Sequence, residues 1–323
     1  MHRAILVERT GGPEVLTLAE RDPGAPGAGQ LRIRVAAAGV NFIDTYFRSG
    51  AYPRPLPFVL GLEGAGRVEA VGDGVAGFAA GDRVAWASAP GSYAEAVVAP
   101  AAMVVRVPDA VADDVAAASM LQGMTAHYLV HAIRAPEPGA CALVHAAAGG
   151  TGLLLVQMAK QAGLRVVATC GSAAKAALAR EAGADVVVRY DEADFVAAAH
   201  EATGGRGVDV VYDGVGAATF DKSLLCLRPR GLLVLFGQAS GAVPPFDLQR
   251  LNAGGSLVVT RPSLAHFVAT REELELRANA VLGAVAAGTL RVRIGARFPL
   301  AQAADAHRAL EGRGTTGKVL LIP

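Results

Sequence analysis

The chain has 323 residues, room for two ordinary domains, and 52% of them are hydrophobic against 18% charged, which excludes a disordered polypeptide. Its 30 basic and 29 acidic residues leave a net charge of +1, so no global field draws it to nucleic acid or to an anionic membrane. Three scattered cysteines, Cys141, Cys170 and Cys226, each in an apolar run, make neither a disulfide framework nor a metal-ligand spacing.

The opening segment, Met1 to Thr10, is too short and too polar for a secretory leader, and no apolar run reaches the roughly 18 to 20 residues of a membrane span. A cytoplasmic location with no membrane partner is therefore expected. Up to about residue 124 the sequence is rich in glycine, proline and short β-like runs. Leu31–Ala38, Gly66–Val71, Arg83–Trp86 and Tyr93–Val98 read as strands, with Asp22-Pro23-Gly24 and Asp73-Gly74 as turns between such runs. This is the texture of a rolled β-rich domain.

Near residue 125 the pattern changes to apolar strands alternating with helices. Cys141–His145 reads as a buried strand, Gly152–Ala162 as a helix, Arg165–Thr169 as a strand and Ala173–Ala182 as a helix. Val186–Arg189, Val208–Tyr212 and Leu232–Phe236 continue the strand series, and Leu257–Thr260 suits an edge. Such βαβ alternation predicts an α/β, doubly wound parallel sheet. The last segment offers a helix near Arg271–Ala287, a strand near Val292–Phe298, a helix near Ala301–Leu310 and a strand at Lys318–Ile322. We read it as rejoining the first domain, giving residues 1–124 and 265–323 for one domain and 125–264 for the other.

The most informative local feature is His145-Ala146-Ala147-Ala148-Gly149-Gly150-Thr151-Gly152, which follows a strand and opens a helix. Without Cβ atoms, backbone N–H groups can approach a pyrophosphate, and the helix N-terminus adds partial positive charge. The pattern is a variant of the dinucleotide fingerprint. In NAD sites an acidic residue about 20 positions further on accepts the ribose 2′-hydroxyl. Here the next strand ends in Thr169-Cys170-Gly171-Ser172 with Lys175 one turn on, and no carboxylate stands there. A hydroxyl and an ammonium suit a 2′-phosphate, so the expected cofactor is NADPH. Tyr190, after the third strand, is placed to pack on the adenosine end.

Gly11-Gly12-Pro13-Glu14-Val15-Leu16, Gly39-Val40-Asn41-Phe42-Ile43-Asp44-Thr45-Tyr46, Gly61-Leu62-Glu63-Gly64-Ala65-Gly66, Gly81-Asp82-Arg83-Val84, the Ala146–Gly152 turn, Val211-Tyr212-Asp213 and Thr260-Arg261-Pro262-Ser263-Leu264 together carry a resemblance. Over essentially the whole chain the sequence resembles the zinc-independent quinone oxidoreductases of the medium-chain dehydrogenase/reductase superfamily, with the eye-lens ζ-crystallins as relatives. The resemblance implies a GroES-like catalytic domain built from both chain ends beside a Rossmann NADPH domain. It also implies departures. Zinc-containing members have a Cys where this chain has Asn41 and a His where it has Leu62, and no cysteine precedes residue 141, so the structural four-cysteine lobe is missing. With those donors gone, no metal is expected and Glu63 becomes a structural carboxylate.

Hydride transfer needs positioning and electrostatics, since the cofactor carries the chemistry. The resemblance implies a nicotinamide facing Asn41, Tyr46, Tyr52, Gln122, Thr125 and Tyr128. Asn41 is expected to donate a hydrogen bond to the developing hydroquinone oxygen, and Tyr46 and Tyr52 to stack on a planar ring and offer hydroxyl groups. It further implies cofactor contacts for Phe236, Gly237, Ser240, Arg261 and Arg313. His145 reads as structural, and Asp213 as a strand-end residue at the ligand side of the sheet that also suits a turn cap. The expected activity is reduction of a small-molecule quinone by a homodimer. An enone, alkenal or 2-enoyl thioester reductase is the enzymatic alternative. A non-catalytic NADPH-binding or RNA-binding crystallin-like protein is the alternative of another class, weakened by the near-neutral charge.

Overall fold

All of residues 1–323 are described in a computed structural model, in which the chain divides into two compact units, Met1–Met124 with Val268–Pro323, and Thr125–Phe267. The first unit begins with β1 (His2–Val7), β2 (Leu16–Arg21), β3 (Gln30–Val40), α1 (Phe42–Ser49), β4 (Phe58–Val59), β5 (Glu63–Val71), β6 (Arg83–Trp86), β7 (Ala96–Pro100) and β8 (Val104–Arg106). The long α2 (Asp113–His131) follows. The second unit comprises β9 (Cys141–Val144), α3 (Gly150–Gln161), β10 (Arg165–Cys170), α4 (Ala173–Glu181), β11 (Val186–Arg189), α5 (Phe195–Ala202), β12 (Val208–Asp213), α6 (Phe220–Leu225), β13 (Leu227–Leu235), α7 (Gln249–Ala253) and β14 (Val258–Thr260). The chain then adds α8 (Arg271–Ala286), β15 (Ile294–Pro299), α9 (Ala303–Glu311) and β16 (Lys318–Ile322) to the first unit.

In the first unit β3 shows the alternation that makes a half-buried strand. Leu31, Ile33 and Val35 point inward while Arg34 points out. Its seven-stranded sheet contains β16, β3 and β5 side by side, both flanking strands antiparallel to β3. The C-terminal strand is therefore an integral part of this sheet. A three-stranded sheet, β2-β1-β4, lies in the same unit, and Ile5, Val7, Leu31, Ile33, Trp86 and Leu321 share one core with residues of both sheets.

The second unit carries a six-stranded, all-parallel sheet in the order β11-β10-β9-β12-β13-β14. Counted from its first strand this is 3-2-1-4-5-6, the doubly wound order, which reverses between β9 and β12. Its central strands are buried on both faces, Cys141–Val144 and Val208–Asp213 throughout, so they read as continuous apolar runs.

Some local readings shift. The run Tyr93–Val98 is strand only from Ala96, because the backbone of Tyr93 and Glu95 bonds instead to Ile5, Leu60 and Arg3. The strand expected at Val292 starts at Ile294. The helix expected from Gly152 already begins at Gly150, so the end of the glycine turn is the first helical turn. Helix α2 gave no periodic signal because Ala116–Ala118, Met120, Met124, Ala126 and Leu129 are buried around its whole circumference.

Candidate functional site

The glycine turn lies where β9 feeds α3. Ala146 takes a left-handed conformation (φ 50°) without being glycine, and Ala147 N–H donates to Thr169 O across the sheet, which pins the turn to β10. A Cβ on Gly152 would stand 2.4 Å from the Ala146 carbonyl oxygen, so the fold itself demands glycine there. Gly149 differs. Its φ of −74° suits any residue, and a Cβ would meet only Ala146 O, at 3.2 Å. A side chain there needs Ala146 O to give by a few tenths of an ångström, a milder demand than at Gly152, so the turn is open on the Gly149 side. Gly149, Gly150, Thr151 and Gly152 thus open α3 as a backbone cradle that fits a pyrophosphate.

One strand over, Gly171 and Ser172 follow β10, Lys175 sits in the first turn of α4, and Tyr190 follows β11. The Tyr190 hydroxyl lies over Gly171, 2.3 Å from where a Cβ would be, so the ring reaches back across the strand ends. Tyr190 remains 55% exposed, free to stack on a base. Ser172 caps α4 by accepting from Lys175 N–H at 3.3 Å. Sequence reading overlooked Asp191 and Glu192 beside Tyr190. Both are paired to Arg189, at 2.7 and 2.5 Å, which blunts their repulsion of a phosphate.

At the carboxyl ends of β12 and β13, the loops 214–219 and 236–241 are stitched together. Phe236 N–H donates to Asp213 O at 2.8 Å. Ser240 Oγ donates to Val215 O at 2.8 Å and accepts from Ala218 N–H at 3.0 Å. Gly237 is pressed on Gly214, whose carbonyl oxygen is 2.6 Å from a hypothetical Cβ. On α2, Thr125 is buried. Tyr128 is 1% exposed and stacks flat on Phe267 at 4.3 Å, an arrangement that closes its ring to a ligand. Arg261 follows β14 and is exposed. Arg313 belongs to the first unit, in a left-handed turn after α9 (φ 57°).

The first unit holds the second constellation. Asn41 follows β3 as the N-cap of α1, Glu63 opens β5 and Lys318 opens β16, so three adjacent strands bring together residues far apart in sequence. Lys318 Nζ and Glu63 Oε2 form an ion pair whose side chains are 1% and 0% exposed. Asn41 Oδ1 accepts from Lys318 Nζ at 2.7 Å and from Gln122 Nε2 at 3.2 Å. Its Nδ2 donates to Glu63 Oε2 at 2.7 Å and to Gly39 O at 3.3 Å. An ammonium cannot accept and a carboxylate cannot donate, so the amide is locked one way round. With its amide hydrogens engaged in this way, the hydrogen bond expected from Asn41 to a substrate oxygen has no donor. The sequence reading missed this because Lys318 is 277 residues away.

The same cluster tests the fit of zinc, which the fold family implies. Zinc at a catalytic site takes three protein N, S or O ligands. Here the positions hold a neutral amide, Leu62 and a carboxylate already bound to an ammonium and to Leu121 N–H at 2.6 Å. These residues do not fit the ion.

Beside Asn41, Asp44 is fully buried. Its Oδ2 accepts from Asn41 N–H at 2.8 Å and from the Tyr93 hydroxyl at 3.0 Å, yet loss of solvent outweighs both and raises its pKa to about 7. Tyr93 also contacts His307 Nε2 at 3.1 Å, and His307 Nδ1 meets the Arg48 guanidinium at 3.1 Å. Burial, with Arg48 adding to it, pushes His307 down to about 3, so it is neutral. Tyr46 and Tyr52 meet edge to face at 5.2 Å, and both are partly exposed.

A GroES-like unit assembled from both chain ends, with a doubly wound unit between, defines the medium-chain dehydrogenase/reductase class. The family described as alcohol dehydrogenase GroES-like domain matches residues 27–109, and that described as zinc-binding dehydrogenase matches residues 150–276. The chain is 45% identical to a quinone oxidoreductase of Pseudomonas aeruginosa, covering 100% of both chains. It is 42% identical to a 2-haloacrylate reductase of a Burkholderia species, over 100% of this chain and 99% of that one. A mycobacterial protein solved in complex with NADPH superposes with a TM-score of 0.97 at 52% identity, covering 100% of both. The chain belongs to the quinone oxidoreductase family of medium-chain dehydrogenases/reductases.

Proposed function

We propose that this chain reduces a quinone with NADPH, without zinc, the electrons arriving as one hydride or in one-electron steps. The observation that carries the reading is the convergence, on the ends of β9, β10 and β11, of a turn left open at Gly149 with Ser172, Lys175 and Tyr190 and no unpaired carboxylate. In it the N–H groups of Gly149 to Gly152 and the N-terminus of α3 bind the pyrophosphate. Ser172 and Lys175 hold the 2′-phosphate and Tyr190 covers the adenosine. Phe236, Gly237, Ser240, Thr125 and Arg261 bind the remainder of the cofactor. NADPH supplies the hydride.

The chain's own residues orient the acceptor. Tyr46 and Tyr52 supply aromatic edges and hydroxyl groups to a planar ring. Asn41, locked by Lys318 and Glu63, acts as a positioning residue that fixes the start of α1, the helix that carries Tyr46. A quinone is already electrophilic, so no Lewis acid is needed, and solvent supplies the protons of the product.

The similarity to a 2-haloacrylate reductase supports a second reading, reduction of an activated carbon–carbon double bond with the same hydride. It differs in requiring a proton at carbon, a role the hydroxyl of Tyr46 or Tyr52 would have to fill. A two-fold homodimer and a cytoplasmic setting complete the proposal. The dimer is supported by β14, which pairs only with β13 and leaves Val258 52% exposed at the sheet edge. The test is NADPH oxidation with a small para-quinone, an enone, an enoyl thioester and 2-chloroacrylate. Quinone turnover at the highest kcat/KM supports the first reading, turnover confined to the alkenes the second. Tight NADPH binding with no turnover points to a binding protein.

A further inference from the structure

Asp213 closes β12 beside β9, at the point where the strand order reverses and ligands bind in doubly wound sheets. It is 0% exposed. Its Oδ1 accepts from Val215 N–H at 2.8 Å, Gly216 N–H at 3.1 Å and Thr219 Oγ1 at 2.9 Å. Its Oδ2 accepts from Ser223 Oγ at 3.0 Å and shares the single Thr219 hydroxyl hydrogen with Oδ1, Oγ1 lying 2.7 Å away. Every one of these partners is a neutral donor.

The chain of bonds continues with a fixed direction. Ser223 donates to the carboxylate, so its oxygen accepts from His145 Nε2–H at 3.0 Å, which leaves His145 Nδ1 to accept from the Thr169 hydroxyl at 2.9 Å. Thr169, His145, Ser223 and Asp213, from β10, from the end of β9, from α6 and from β12, thus form one line of dipoles with every hydrogen pointing toward Asp213. His145 adds no cation, since burial pushes it down to about 4 against the opposing pull of Asp213. Such a line stabilises a carboxylate while leaving its net charge uncompensated.

We infer that Asp213 is an electrostatic bias on the bound coenzyme, a buried anion that favours the positively charged nicotinamide ring of NADP⁺ over the neutral ring of NADPH. This rests on the coenzyme reading above. Tighter binding of the oxidised form means, by the binding cycle, that the bound coenzyme is a stronger hydride donor than the free one. The loop N–H groups of Val215 and Gly216 use only Oδ1, whereas Oδ2 receives Ser223 at the end of the line. The directed line of donors converging on an unpaired charge at the strand-order reversal goes beyond capping.

The test compares dissociation constants of NADP⁺ and NADPH by calorimetry on wild-type protein, Asp213→Asn and Ser223→Ala, with folding checked by circular dichroism. Asparagine keeps an acceptor for the loop and removes the charge. The ratio Kd(NADP⁺)/Kd(NADPH) is expected to rise about tenfold in Asp213→Asn. That is 1.4 kcal/mol, which a unit charge exerts to about 12 Å at an effective dielectric constant near 20. Ser223→Ala removes one screening donor and is expected to move the ratio the other way, by about twofold. A ratio unchanged in folded Asp213→Asn overturns the inference. Should that variant not fold, an unchanged ratio in Ser223→Ala overturns it. Wild-type protein that binds neither nucleotide overturns the coenzyme reading itself, and this inference with it.

Discussion

Replacing Lys318 by methionine removes one half of an ion pair that water does not reach. The Lys318 and Glu63 side chains are 1% and 0% exposed. Glu63 would be left as a carboxylate held only by Leu121 N–H and one Asn41 hydrogen. Asp44 would also lose the cation that partly offsets its burial. Breaking a buried pair in this way costs about 3–5 kcal/mol, whereas removing both charges is often nearly neutral. The double variant Lys318→Met, Glu63→Gln is therefore expected within about 1.5 kcal/mol of wild type. The assay is built into the chain. Its single tryptophan, Trp86, is fully buried in the core of this unit, so its fluorescence reports unfolding there. With an m-value of roughly 2 kcal/mol/M, the urea midpoint of Lys318→Met should fall by about 1.5–2.5 M. A loss below about 1 kcal/mol, or a double variant as unstable as the single, would refute the reasoning.

Other expectations concern the second unit and the response to pH. Gly149→Ala should lose less than about 1 kcal/mol, because its Cβ presses only on Ala146 O at 3.2 Å, yet lose at least about tenfold in NADPH affinity; Gly152→Ala, at 2.4 Å from the same oxygen, should destabilise by about 1–3 kcal/mol. The contrary pattern would move the cofactor off this turn. Lys175→Ala should weaken NADPH by about 10- to 100-fold, the worth of a charge-assisted hydrogen bond, and NADH within about twofold. Equal losses would remove Lys175 from the 2′-phosphate. For Asp44, a folded pKa of about 7 against 3.8 means that its contribution is fully present below about pH 4 and lost as pH rises through 7. His307, lowered to about 3 from 6.5, contributes the opposite slope, with stability lost as pH falls. Asp44→Asn should therefore gain on wild type by up to about 4 kcal/mol between pH 4 and 7, read from Trp86 in urea; a pH-independent difference would contradict the assignment.

The fold was largely readable because its signals are local. Alternating burial marked β3, and continuous apolar runs bounded by glycine marked β9 and β12. Helix α2 escaped because an element buried all round carries no period. At the cofactor turn, residue types and short spacings were enough to bring Gly149, Gly171, Ser172 and Lys175 to neighbouring strand ends. What the sequence hid was who holds whom. The pairing of Lys318 with Glu63 and Asn41 arises because β16 and β5 flank β3, a tertiary fact with no local mark. It turned Asn41 from an expected donor into a locked amide. Asp213 was legible as a strand-end residue, while its line of partners through Ser223 and His145 needed α6 placed against the sheet.

The measurement that bears most directly on the central claim is steady-state oxidation of NADPH and of NADH by chelator-treated protein with a small para-quinone as acceptor. Quinone-dependent turnover should survive removal of metal, with a kcat/KM for NADPH at least about tenfold above that for NADH, a preference lost in Lys175→Ala. Turnover that vanishes with the chelator and returns with zinc, or equal use of the two coenzymes, would contradict it.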